Sequence, residues 1–160
     1  MATANSHLSS YDPDKVPNGA SFTIHIVVSQ WNEEITKSLC QGAIKTLHHH
    51  GVPTDQIKVW DVPGSFELIY GAKLAQSHNP DAVIVIGSVI QGETRHFEFI
   101  CQAVAEGIKD LNVNNNVPVI FCVLTDDSIE QAQARSGGIH GNKGVEAAVA
   151  ALQMAALRGN

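Results

Sequence analysis

The sequence predicts an α/β fold: a four-stranded parallel sheet between two layers of helices. Three observations predict it. Short apolar runs rich in β-branched residues recur four times, at 21–29, 57–62, 82–86 and 118–124. The segments between them carry apolar residues at helical spacing. Regular alternation of the two favours βαβ units, whose helices cover both faces of a parallel sheet. Such strands are buried on both sides and read as continuous apolar runs, as AVIVI at 82–86 does.

Residues 1–20 are rich in Ser, Asn, Asp, Pro and Gly without any period. They read as a flexible arm, or as an extended segment docked on a neighbour. Residues 21–160 read as a single domain with no linker and no internal repeat. SFTIHIVVS at 21–29 is the first strand, and Gln30-Trp31-Asn32 its exit loop. The spacing of Ile35, Leu39, Ile44 and Leu47 predicts a helix over 33–50, with Gly51 as C-cap. IKVWDV at 57–62 is the second strand. A helix over 66–77 follows, with Ser65 placed to cap it. The third strand breaks at Gly87 and Gly92, and a helix starts near Thr94 or Arg95. Asn-rich residues 112–117 read as a turn. PVIFCVL at 118–124 is the fourth strand. A short helix over 126–135, capped by Asp126 or Asp127, is broken by Ser136-Gly137-Gly138. An Ala-rich helix over 142–157 closes the chain.

The 160 residues suffice for one domain with a sizeable core. A net charge of −6 argues against a basic face for nucleic acid. No apolar run approaches the ~18 residues of a membrane helix. The amino end shows neither a signal-like apolar core nor an arginine-rich leader. Cys40, Cys101 and Cys122 stand apart in sequence, which predicts buried thiols in a reducing, cytoplasmic setting rather than disulfides. His48, His49 and His50 are consecutive on a helix, so their side chains diverge and metal binding is not expected.

Open parallel sheets bind ligands at the carboxyl ends of the strands, where the strand order reverses. With the flavodoxin-like order 2-1-3-4, adopted rather than derived, that point lies between the first and third strands. Loops 30–32 and 88–96 meet there, and loops 63–67 and 124–127 open on the same edge. Topology thus gathers Trp31, Glu67 and His96. Trp31 offers a flat face to a heterocycle. Thr94 stands at a helix start, where unpaired N–H groups attract anions, and His96 follows in the first turn. Taken singly, each has a plainer reading. Trp31 is equally a surface aromatic, Ser65 and Glu67 a cap and a first-turn carboxylate, Arg135 and Lys143 surface cations, and Phe121 core.

Five motifs change that balance. VPGSFEL at 62–68, GETRHFEFI at 92–100, VPVIFCVLT at 117–125, EQAQARSG at 130–137 and GNKGVEAAVAALQM at 141–154 resemble lumazine synthases in order and spacing. The resemblance spans about 22–157. Trp31 stands where the family commonly has phenylalanine, Ile69 where it often has proline, and Cys122 where it usually has glycine. None of these removes a polar group that the chemistry needs.

The resemblance implies a transferase of riboflavin biosynthesis that needs no cofactor. It condenses 5-amino-6-(D-ribitylamino)uracil with 3,4-dihydroxy-2-butanone 4-phosphate. The products are 6,7-dimethyl-8-ribityllumazine, phosphate and water. By matching position, Trp31 stacks on the pyrimidine, and Ser65, Phe66 and Glu67 hold that substrate. Backbone groups of Ser88, Val89 and Ile90 fix it further. The backbone of Glu93, Thr94 and Arg135 bind the phosphate, and His96 moves protons. An imidazole titrates near neutrality and suits that task. The resemblance also implies rings of five copies, with Phe121 and Arg135 reaching the site of a neighbour. The short link 136–142 resembles that of members whose twelve pentamers form a 60-subunit shell. Riboflavin synthase is a candidate physical partner. Two rivals stand beside this reading. One is a non-catalytic flavodoxin-like module for a flavin or nucleotide, but no glycine-rich phosphate loop follows the first strand. The other is a shell protein valued for assembly alone, which would not need Glu67, His96 and Arg135 together.

Overall fold

In the computed structural model, which describes residues 7–159, four strands form one parallel sheet. They are β1 (Ile24–Ser29), β2 (Ile57–Val62), β3 (Ala82–Ile90) and β4 (Val119–Asp126), in the order β2-β1-β3-β4. Helices α1 (Glu33–His49) and α5 (Lys143–Arg158) cover one face. Helices α2 (Leu68–Ser77) and α3 (His96–Asn114) cover the other. The result is a three-layer, flavodoxin-like α/β/α sandwich, as the alternation of runs predicts. A short helix α4 (Ile129–Arg135) and a hairpin of β5 (Ser136–Gly138) and β6 (Gly141–Asn142) lead from β4 into α5.

Side chains of successive strand residues point to opposite faces, and the two cores follow from that period. Ile24, Ile26 and Val28 of β1 join Ile84 and Ile86 of β3 against α1 and α5. Val27, Val83 and Val85 pack instead on Leu68, Ala72 and Ala75 of α2 and on Val104 and Ile108 of α3. Each such fully buried side chain contributes ~1.5–3 kcal/mol. Helices α1 and α5 approach closely where a Cβ added to Gly144 would lie 1.9 Å from the carbonyl oxygen of Leu39. No larger residue fits there without moving a backbone.

Several boundaries differ from the sequence reading. Strand β3 does not break at Gly87 but runs four residues further in register with β4, to Ile90 paired with Asp126. Gly87 serves another end: a Cβ there would sit 2.8 Å from Ser65 Oγ and 2.9 Å from Leu68 Cδ1. The missing side chain lets the β2–α2 loop close on the strand. Helix α3 absorbs Asn112, whose amide donates to the carbonyls of Ile108 (3.0 Å) and Val119 (2.9 Å) while its oxygen accepts from Val119 N (2.8 Å). That side chain ties the helix to the start of β4. Helix α4 is capped by neither aspartate but by Ser128, whose hydroxyl accepts from Gln131 N. Asp126 is instead the last, buried residue of β4. Ser65 makes no side-chain cap for α2, which opens two residues later than expected, at Leu68. The Ser136-Gly137-Gly138 breaker is a strand of the small hairpin.

Of the first 20 residues, 1–6 lie outside the described residues. Residues 7–20 run along the chain's own surface: Leu8 N donates to His140 O (2.7 Å), Asn142 N to Ser9 Oγ (2.9 Å) and Gly19 N to His50 O (2.7 Å). The histidine tract is taken up in side-chain contacts of its own. His48 Nδ1 lies 2.9 Å from Val52 O and His50 Nε2 3.1 Å from the Tyr11 hydroxyl. Cys40 and Cys122 are buried free thiols, and burial pushes them up to about 11 and about 12. Among the described residues, no helix is long and apolar enough to cross a membrane.

Candidate functional site

The carboxyl ends of β1, β2 and β3 open on a cavity of about 520 Å³. Three loops build it, and each has a local reason for its course. After β1, Asn32 adopts a left-handed conformation, φ 57° and ψ 50°. Asparagine tolerates this region better than other non-glycine residues. Its amide donates to Ser88 O at 2.9 Å, which fastens the first loop to the third strand. The sharp turn leaves Trp31 72% exposed on the cavity wall, a flat face without protein cover.

After β2, Gly64, Ser65, Phe66 and Glu67 form the second wall. Ser65 is buried against the strand beside Gly87, and Leu68 is fully buried behind it. Those two anchors hold Phe66 half exposed and Glu67 at the amino end of α2. After β3, Ser88, Val89 and Ile90 line the floor, and Gly92, Thr94 and His96 the third wall. Thr94 Oγ1 accepts from His96 N at 3.4 Å, which starts the first turn of α3. The remaining unpaired amides of that turn, with the helix dipole, favour an anion at this wall.

Of the residues singled out in the sequence, Trp31, Ser65, Phe66, Glu67, Ser88, Val89, Ile90, Thr94 and His96 share this one cavity. Glu93 lies exposed between two lining residues, Gly92 and Thr94. Phe121 and Arg135 are not among its walls. Phe121 sits 38% exposed on β4, opposite Val85 of β3. Arg135 ends α4, its Nε 3.5 Å from Asp126 Oδ1. Sequence reasoning missed Asn32, Gly64, Gly92, Phe97 and Ile100 as parts of the wall. Asparagine directly before a helix was a signal for the first. Ile100 stands four residues beyond His96, on the same face of α3, and Phe97 follows His96 directly.

The arrangement pairs two functions. Trp31 with Ser65 and Glu67 suits a flat, hydroxyl-bearing heterocycle. The start of α3 suits an anion, and His96 beside it is placed to move a proton. Among the described residues no group of three or more His, Cys, Asp or Glu side chains is arranged to hold a metal ion.

Comparison with known proteins points to one family. A family model described as 6,7-dimethyl-8-ribityllumazine synthase matches residues 21–159. The chain is 59% identical to the 6,7-dimethyl-8-ribityllumazine synthase of Flavobacterium johnsoniae, over 99% of this chain and 84% of the relative. It is 58% identical to that of Christiangramia forsetii, over 99% and 95% of the two chains. Against that of Porphyromonas gingivalis it is 56% identical over 98% of both.

Proposed function

Since the chain belongs to the 6,7-dimethyl-8-ribityllumazine synthase family, we propose that its cavity is the larger part of an active site which a neighbouring copy completes. The reaction is the family's. The 5-amino group of 5-amino-6-(D-ribitylamino)uracil condenses with the ketone of 3,4-dihydroxy-2-butanone 4-phosphate. Phosphate is eliminated, and ring closure with loss of water gives 6,7-dimethyl-8-ribityllumazine for riboflavin biosynthesis.

In this reading Trp31 stacks on the pyrimidine, with Phe66 beside it. Ser65 and Glu67 hold hydroxyl and ring polar groups, and the backbone of Ser88, Val89 and Ile90 fixes the ring edge. The amides at Glu93 and Thr94 receive the phosphate. His96, in the same turn, moves protons between amine, ketone and leaving group. Much of the rate comes from holding two reactants together in one geometry.

One observation carries the composite site. The residues expected to touch the aminouracil and the helix-start phosphate line a single cavity, while Phe121 and Arg135 lie elsewhere on the chain. A guanidinium suits a phosphate's forked geometry, and in this reading a second copy brings it there. Exposed apolar side chains supply the surface for such a copy: Tyr70 on α2 and Phe99 and Val113 on α3 are each at least 68% exposed. The assembly is a ring of five in the cytoplasm, and twelve rings close into a shell.

Mixing two impaired variants tests the shared site. His96→Ala and Arg135→Ala subunits, dissociated together and reassembled, regain part of the wild-type turnover, because some interfaces then carry both native residues. A mixed assembly no more active than its parents contradicts the composite site.

A further inference from the structure

Asp126 is a buried carboxylate that the reaction as described does not use. It is the last residue of β4, and its side chain is 6% exposed. Its backbone is fixed: the strand pairs it with Ile90, and its carbonyl accepts from Gln91 N at 2.9 Å. Oδ1 meets Arg135 Nε at 3.5 Å, and Oδ2 is buried with no hydrogen-bond partner among the described residues. Arg135 is 44% exposed, and among the described residues no other ion pair or hydrogen bond of its guanidinium is seen.

We propose that Asp126 is a positioning residue: it holds Arg135 by Nε, leaving the two terminal nitrogens to fork the substrate phosphate in the neighbouring subunit's site. The proposal rests on the reading that Arg135 binds that phosphate. Guanidinium is planar, with five N–H donors in a rigid fork. An ion pair at the Nε edge favours the orientation in which the four terminal N–H groups face away from Asp126. The anchor is rigid because it sits on a strand end rather than on a loop, and site geometry held by such elements is the more accurate.

A plain stabilising ion pair is the competing explanation, and the energetics disfavour it. Burial raises the Asp126 carboxyl above its ordinary value; Arg135 opposes this, and neighbouring Asp127 adds to it. Desolvation therefore outweighs attraction, and the charged carboxylate is a net burden on the fold. A costly charge aimed at a cation expected to bind substrate fits a functional role better than a structural one. Asp126 also joins two sites. Its backbone supports Ile90 and Gln91 beside the cavity of its own subunit, while its side chain serves the next.

The test uses the assembled enzyme and four variants: Asp126→Asn, Asp126→Ala, Arg135→Ala, and the double variant Asp126→Asn/Arg135→Ala. Asp126→Asn raises KM for the butanone phosphate about 5-fold, the weight of one partly exposed ion pair. Asp126→Ala raises it further, because Asn keeps a neutral acceptor. KM for the aminouracil changes less than about 2-fold in both. The melting temperature of Asp126→Asn at neutral pH is equal to or above that of the wild type, which a structural ion pair would not allow. In the Arg135→Ala background, Asp126→Asn has no further effect on KM. If Arg135→Ala raises KM for the phosphate substrate and Asp126→Asn does not, the positioning role is overturned while the phosphate reading stands. If Arg135→Ala itself leaves that KM unchanged, the phosphate reading falls and takes the proposal with it. A lowered melting temperature with equal losses for both substrates would make Asp126 structural.

Discussion

His96 stands in the first turn of α3 and lines the cavity, with its backbone N–H taken by Thr94. A catalyst so placed adds to a rate already raised by positioning. His96→Ala is expected to lower turnover ~10–10³-fold without abolishing it. Its exposure means that the melting temperature should not move, and steady-state turnover beside a melting curve checks both. Unchanged turnover removes the role. Arg135→Lys keeps a charge but loses the fork. KM for the butanone phosphate should rise while that for the aminouracil holds, and equal effects on the two substrates count against the assignment. Asn32 carries no chemistry yet sets the cavity's first wall, since its left-handed turn and its bond to Ser88 O orient Trp31.

Loops of the site inherit their rigidity from the elements that launch them. Helix α5 depends on Asn142, whose oxygen caps Gly144 N at 2.8 Å and whose amide donates to Ser38 O and Ser136 O at 3.0 and 3.2 Å. Asn142→Ala loses the cap and leaves those carbonyls short, a cost of at least ~1–2 kcal/mol. Urea denaturation should show it as a lower midpoint. Strand β1 carries a pH response. His25 is buried, its ring 5.8 Å from that of Trp60 and 6.0 Å from that of His78. Burial first, then Lys58 and His78, lowers its imidazole below the ordinary value, against a raising backbone contact at Ala75. The unfolded chain therefore takes up the proton first as pH falls below ~6.5, and stability is lost there. Melting temperature should decline from pH 7 to about 5, and His25→Gln should flatten that decline; identical curves would contradict it. Element types were legible in the sequence because β-branched apolar runs and a period of 3.6 leave distinct marks, as in 82–86 and 33–50. Ends were less so. Asp126, Asp127 and Ser128 are all good caps, and only the two extra residues of β4 decide among them. Gly87 reads locally as a breaker, because the Ser65 loop that needs its space is distant in sequence.

At the scale of the molecule, the walls at Trp31, Glu67 and His96 were legible because one sheet edge collects them. The proposed roles of Phe121 and Arg135 rest only on the family's motifs, since no local pattern says which copy a side chain serves. Of α3, only Val104 and Ile108 are buried, and Phe99 and Val113 stand exposed. A helix so apolar and so bare awaits a partner. The hairpin β5–β6 makes the link to α5 compact, with positive φ at Gly137 and Gly141. In the proposed shell, such a link leaves room for rings of five copies to meet edge to edge. Light scattering and electron microscopy across several buffers, with phosphate present, are expected to find a closed particle of sixty chains. A particle of only five chains of 17.1 kDa throughout would overturn the shell and leave the site untouched. The central claim is catalytic, and one assay meets it directly. Purified protein is mixed with the aminouracil and the butanone phosphate, and lumazine fluorescence and released phosphate are followed together. A synthase forms both, in equal amounts and with no metal, nucleotide or flavin added. A protein that binds the aminouracil but forms neither product above the uncatalysed background would contradict it.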